Sequence, residues 1–153
     1  MSERSSMGCN EAMQQVLHAS CVAFHRRAVL IMGRAMSGKS SLALELISGG
    51  ALLVSDDQTI VSLGSSGLVA DAPSEIKGFI EARGVGLLRA HTHGPAQIAL
   101  VVDLDRDETE RLPPVRSYDI LGQEIPILFR VRAPYFPVAI LQYLKGGLAH
   151  EKY

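Results

Sequence analysis

The stretch VLIMGRAMSGKSSLALEL, residues 29–46, decides the fold. With Ala28 in front it opens as a continuous apolar run, AVLIM, which suits a strand buried on both faces. Gly33-x-x-x-x-Gly38-Lys39-Ser40 then completes the pattern of a phosphate-binding loop. Leu42, Ala43, Leu44, Leu46 and Ile47 follow with the spacing of a helix packed on a sheet, stopped by Gly49-Gly50. Strand, glycine-framed turn and helix, in that order, are the context such a loop needs. Glycine at both ends lets the backbone curl until successive N–H groups converge on phosphate oxygens, and the helix N-terminus adds its positive dipole. Lys39 then serves as a point charge on the outer phosphates, Ser40 offers a hydroxyl to Mg²⁺, and Arg34 adds a second cation at the rim. The cradle is Gly33, Arg34, Ala35, Met36, Ser37, Gly38, Lys39, Ser40 and Ser41, and its ligand is ATP, GTP or a related polyphosphate. The alternative is an ordinary glycine-rich turn carrying an exposed lysine.

Outward from this stretch, 153 residues with 47% hydrophobic content are enough for one domain and too few for two comfortable ones. Charged residues are 20% of the chain and the formal net charge is −1, so no global positive field draws it to nucleic acid or acidic lipid. Any polyanion must be gripped locally. The start, MSERSSMGCNEAMQQ, has no apolar run resembling a secretory signal, and no stretch of 18 apolar residues suggests a membrane span. Cys9 and Cys21 make neither a disulfide framework nor a zinc spacing, so a cytoplasmic setting is expected.

Residues 1–14 are polar and expected to fray, leading into a strand over 16–24. ALLVSDD, 51–57, reads as a short buried strand ending on two aspartates. TIVSLGSSGLVADA, 59–72, reads as a hairpin around Gly64-Ser-Ser-Gly67. The segment 73–90, broken by Pro73, Gly78, Gly84 and Gly86, is expected to be partly irregular, with GLLRA extended. AQIALVVDLD is a strong strand, RDETERLPP an exposed charged loop, and VRSYDILGQEIPILFRVR a hairpin turning at 121–123. A helix closes the chain from Tyr135 onward. After the first helix come hairpins instead of repeated βα units, so the expected class is α/β with a mixed, α+β-like sheet.

Asp56 and Asp57 end a strand that starts just after the loop's helix, and so arrive at the same edge as Lys39. Adjacent carboxylates on a strand point opposite ways, so one can serve Mg²⁺ and the other can act as a general base. A solvated turn ending the strand is the alternative. Glu81 and Arg83 in FIEARGVG read by themselves as exposed salt-bridging residues before a turn. His91 and His93 in RAHTHGPAQ lie two apart without an obvious third metal ligand and read as surface histidines. His18, in an otherwise apolar strand, reads as a satisfied semi-buried histidine.

Taken together, VLHASCVAF, VLIMGRAMSGKSSLALEL, LLVSDDQTIV and APSEIKGFIEARGVGLL resemble the catalytic domain of HPr kinase/phosphorylase, the bifunctional serine kinase acting on the phosphocarrier protein HPr. VVDL and IPILFRVR are weaker echoes. The resemblance implies a P-loop core of the phosphoenolpyruvate carboxykinase type, filling 1–153 as a single catalytic domain like the family's short forms. It implies ATP and Mg²⁺ at residues 33–40, with Lys39 essential and Ser40 on the metal. Asp57 matches the family's proton acceptor, which donates the proton in the reverse, phosphorolytic reaction; Asp56 supports it or the metal. Glu81 matches a second Mg²⁺ ligand, Arg83 lies in a segment used in both directions, and His18 matches an active-site histidine. HPr is the implied partner, with neither nucleic acid nor membrane, and a homo-oligomer is compatible. Three features depart from the family: Arg34, Ser41, and a late RVRAPYFPVAI in place of its basic Pro-Gly-Arg-Asn element, where Arg130 and Arg132 are the available cations. Two other readings stay open: a nucleotide-binding regulatory module without phosphotransfer, and a small-molecule kinase.

Overall fold

The computed structural model describes residues 13–149, so Cys9 and residues 1–12 of the segment expected to fray lie outside the described residues. Gln14, however, already belongs to a strand, β1 (Gln14–Leu17), which adds antiparallel to the open edge of β5 (Thr59–Gly64). The strand expected over 16–24 is two strands. β1 pairs with β5, whereas β2 (Ala19–Phe24) pairs with β3 (Arg27–Met32) on one side and β4 (Leu52–Ser55) on the other. A chain that changes partners must break its ladder, and the break falls at His18.

The remaining strands are β6 (Gly67–Asp71), β7 (Phe79–Ala82), β8 (Gly86–Arg89), β9 (Ala96–Asp107), β10 (Ser117–Ile120) and β11 (Gln123–Arg130). The main sheet runs β1-β5-β6-β9-β3-β2-β4, and β11, with β10 outside it, joins in parallel along the later half of β9. β9 thus gives one edge to β3 from Gln97 to Asp103, and its other edge first to β6 and then to β11. The class is mixed α/β, as its hairpin-rich order requires. Two helices, α1 (Lys39–Ser48) and α2 (Phe136–Gly146), cover one face.

Alternation along the strands builds two cores. In β3, Ala28 and Leu30 face one way while Val29 and Ile31 face the other, and all four are fully buried. Along β9 the pairing skips Ala99, so Ile98 and Val101 share a face while Leu100, Val102 and Leu104 take the opposite one. The second core receives Leu42, Ala43 and Leu46 of α1 and Phe136, Ile140 and Leu144 of α2. The first is made of residues from strands alone, with Ile120, Ile125 and Ile127 of the β10–β11 hairpin joining Cys21 and Leu30 in it. The sheet therefore curls on itself on the side the helices leave open. Burial pushes the Cys21 thiol well above its ordinary range, which keeps it protonated.

Two expectations need correction. Residues 73–90 are more regular than their glycines suggest: a 3₁₀ turn at Ser74–Ile76 leads into the β7–β8 hairpin, because Gly84 (φ 87°) allows a tight turn and Ile80 anchors β7 in the helix-side core. Nor is the 106–114 stretch simply solvated. β9 runs on to Asp107, the Glu108 N–H donates to the Arg130 carbonyl (2.8 Å), and Arg116 pairs with Glu108 while stacking over Phe129 at 4.6 Å. Among the described residues no helix is long and apolar enough to cross a membrane.

Two outcomes are expected. Leu46→Ala, at a site with no exposed surface, should cost about 2–5 kcal/mol in urea unfolding. Glu108 is held below the usual carboxylate range, first by the Glu110 backbone N–H and then by Arg116 and the Thr109 N–H. Its contribution is therefore full above the ordinary carboxylate pKa and fades as pH falls, so Glu108→Gln should flatten the acid limb of a melting-temperature profile.

Candidate active site

The loop between β3 and α1 is shaped by two glycines. Gly33 has φ 157°, and a Cβ there would lie 2.4 Å from Ser37 Oγ; Gly38, at φ 101°, caps the start of α1. Met36 is also left-handed (φ 69°), and the Ser37 N–H donates to the Arg34 carbonyl (3.1 Å). The chain curls tightly around its own centre. No side chain caps the N-terminus of α1, and its first turn holds no acid. The free N–H groups and positive dipole end there suit an anion. The buried Ser37 hydroxyl, which has no hydrogen-bond partner, is a further donor within the same loop. By donor chemistry, the cradle fits a polyphosphate.

Lys39 is 7% exposed, and its ammonium donates to the carbonyls of Gly33 (2.8 Å) and Arg34 (3.0 Å). It points back into the loop and fastens it. Arg34 differs from expectation: its side chain pairs with Asp105 (3.5 Å), and its backbone N–H reaches both Asp105 oxygens at 3.1 Å. A carboxylate on the next strand has claimed this rim cation. Ala35 and Met36 form the exposed outer lip.

On the other side stand the two aspartates, and the way they part company is a correction. The strand ends at Ser55, so pleat alternation does not separate them; Asp57 takes a left-handed conformation (φ 67°) instead. The turn is pinned by Ser55 Oγ donating to the Gln58 carbonyl and by the Asp57 N–H donating to Ser20 Oγ at 3.3 Å. Asp56 turns inward, 7% exposed. Its Oδ1 accepts from Ser20 Oγ and Ser40 Oγ, both at 2.7 Å, and its Oδ2 accepts the Glu81 N–H at 3.1 Å. Asp57 turns outward, its side chain 66% exposed, with Oδ1 at 2.8 Å from His18 Nε2. His18 is thus no core histidine: it sits at the β1–β2 break, half exposed, against Asp57.

A cavity of about 460 Å³ brings together His18, Lys39, Ser40, Asp57, Glu81 and Arg83. Ser41 also lines it. Arg83 leans on Met36 Sδ (2.6 Å) and not on Glu81, so the two are not the salt-bridged pair their spacing suggested. A second cavity of about 700 Å³ continues from Asp56 and Asp57 along Glu81 to Leu87 of β8. His91 and His93 stay outside both. Their backbones bracket Leu53 of β4 through the bonds His91 O to Leu53 N–H and His93 N–H to Leu53 O, and His93 Nδ1 is buried without a partner.

Two contributors escaped the sequence reading, and a third, Arg130, was named there without a place. Ser20 sits mid-strand with nothing to mark it beyond a polar residue in an apolar run. Asp105 closed the strand read from AQIALVVDLD and carried no site role in that reading. Arg130 arrives through a bulge at Phe129/Arg130, and its guanidinium donates to the carbonyls of Ser37 and of Leu104 (3.2 Å). Arg132, the other available cation, is exposed and pairs with Asp107 at 3.0 Å.

The family model described as HPr Serine kinase C-terminal domain matches residues 10–128. The HPr kinase/phosphorylase of Malacoplasma penetrans is 27% identical over 83% of this chain and 44% of its own length. That of Caldanaerobacter subterraneus is 35% identical over 74% of this chain and 38% of its own. The chain thus spans less than half the length of these relatives. The solved HPr(Ser) kinase/phosphatase of Coxiella burnetii shares the fold, with a TM-score of 0.74 over 90% of this chain and 93% of that one at 24% identity.

The inward carboxylate carries a stability prediction. Asp56→Asn places an amide where three donors converge, and should cost about 1–3 kcal/mol in denaturant unfolding, whereas Asp57→Asn should change stability by less than about 0.5 kcal/mol. Equal losses in the two variants would contradict the inward and outward assignment.

Proposed function

The chain belongs to the HPr serine kinase C-terminal domain family, and from that membership and the geometry around Lys39 we propose that it is an ATP-dependent protein serine kinase acting on the phosphocarrier protein HPr. One observation carries the reading: Asp57, the outward carboxylate, shares a single cavity with the loop lysine and with Glu81. The backbone N–H groups of residues 33–40 hold the polyphosphate, and Lys39 neutralises its charge after exchanging loop carbonyls for phosphate oxygens. Asp57 accepts the proton of a substrate serine as that hydroxyl oxygen bonds to the γ-phosphorus and the bond to the bridging oxygen of ADP breaks. An ionised carboxylate only accepts, so His18 Nε2 carries the proton in the contact between them and orients the base.

Ser40, Glu81 and, from behind, Asp56 are the residues that would hold Mg²⁺, and the metal when bound supplies charge neutralisation to the transferring group. Ser40 donates its hydroxyl proton to Asp56, which leaves the oxygen lone pairs turned away from that carboxylate and available to a cation. Arg83 stands at the cavity's mouth, where a substrate phosphoserine or phosphate would enter. Run in reverse with inorganic phosphate as nucleophile, Asp57 returns the proton to serine and pyrophosphate is released.

The decisive assay incubates the protein with Mg-ATP and HPr and measures phosphoserine. Asp57→Asn should lower transfer by at least about 100-fold while changing nucleotide affinity less than about threefold. A variant that keeps its rate would remove Asp57 as the base. Nucleotide binding with no phosphoserine in the unmodified protein would favour a regulatory module instead.

A further inference from the structure

The phosphate loop has two flanks, and only one of them is used by the chemistry proposed above. On the far side of Gly38 lies a separate cavity of about 300 Å³, near the lower end of the range for small-molecule sites. It opens between the start of α1 and the connector 131–135 that leads into α2. Its walls are apolar where Leu42, Leu104, Pro134 and Phe136 meet, and cationic where Arg130 enters. Ser41 lines both this cavity and the one that holds Asp57, so the two are joined across the first turn of α1.

We propose that this cavity receives the nucleoside of the bound nucleotide, with Arg130 beside the phosphate nearest the sugar. The inference rests on the kinase reading and adds the direction in which the nucleotide lies. Three observations point the same way. First, a chain of phosphates held on the loop must leave it on one flank or the other. The flank with Asp57 and Glu81 presents two carboxylates beside Arg83, whereas the opposite flank presents two arginines, Arg130 and Arg132, and a single carboxylate, Glu45. Second, the bulge at Phe129/Arg130 shifts the register of β11 against β9 at the residue whose side chain reaches the loop. Bulges re-aim side chains in this way, and without it Arg130 would continue the alternation of β11. The guanidinium comes within 3.8 Å of where a Gly38 Cβ would stand, an ordinary contact distance, so Arg130 lies directly against the start of α1. Third, a flat base needs an apolar slot beside a polar rim, and Leu42, Leu104 and Pro134 beside Arg130 and Ser41 form one.

The test separates this inference from the reading it rests on. Amide hydrogen exchange of the unmodified protein is measured with Mg-ADP and with Mg-pyrophosphate, which lacks the nucleoside. Both should slow exchange in residues 33–41, and only ADP should slow it at Val131, Arg132, Ala133 and Tyr135. Ala133→Phe, which fills the cavity from the connector, should weaken ADP at least tenfold and pyrophosphate less than twofold. Its unchanged pyrophosphate affinity also shows that the variant is folded. If ADP protects the loop and leaves 131–135 untouched, the nucleoside site is overturned while the phosphate cradle stands. If neither ligand protects the loop, the cradle and the nucleoside site fall together.

Discussion

One buried carboxylate holds the functional end of this molecule together. Asp56 joins β2 through Ser20, α1 through Ser40 and β7 through the Glu81 N–H, three elements distant in sequence. Burying a carboxylate costs several kcal/mol unless donors replace its water, and here three do. The constraint runs in both directions. α1 can be registered against the end of β4 only if Ser40 finds Asp56, and Asp56 is tolerable at that depth only because α1, β2 and β7 supply donors. The same bonds settle which aspartate is left for solvent. With Asp56 saturated, the left-handed turn at Asp57 delivers the second carboxylate outward to His18.

This division explains why a tandem acid suits the site better than a single one. A lone aspartate would have to orient the Ser40 hydroxyl and meet an incoming proton with the same pair of oxygens. Splitting the tasks lets one carboxylate be rigid and the other accessible. The left-handed conformation of a non-glycine residue costs of order 1–3 kcal/mol, and it persists because Ser55 and Ser20 pin the turn on either side.

Much of this was legible in the sequence, for reasons that can be traced to particular residues. The β3–loop–α1 unit follows from apolar run, glycine spacing and helical periodicity, all of them local signals. The hairpins at 59–71 and 117–130 declare themselves through their turns, where Leu121 and Gly122 take positive φ. His18, Lys39, Ser40, Asp57, Glu81 and Arg83 were singled out before any coordinates, through the family resemblance where their local patterns were weak. What stayed hidden was non-local. The break at His18 depends on β1 leaving for β5, a partner more than forty residues downstream. Asp105 and Arg130 acquire their roles from the parallel neighbours of β9, and a bulge has no signature in composition. Arg34 read as a phosphate-facing cation because a sequence shows the charge and not the carboxylate that claims it.

The overall charge of −1 therefore says little about what this protein binds, since the fold sorts its charges by place. At the loop, cations serve two distinct ends: Lys39 and Arg130 donate to loop carbonyls and hold the cradle's shape, while Arg83 stands at the cavity's mouth. The carboxylates Asp56, Asp57 and Glu81 are gathered on the opposite flank, just past β4 and on β7. In the proposed orientation, a polyanion lying across such a site would meet backbone N–H groups in the middle, acids at its terminal phosphoryl group and an arginine at its other end. That gradient is a property of topology. It arises because β4 lies parallel to β3 through β2, bringing its acidic end to the loop's edge, while β11 runs parallel along the other side of β9 and brings Arg130 to the opposite flank.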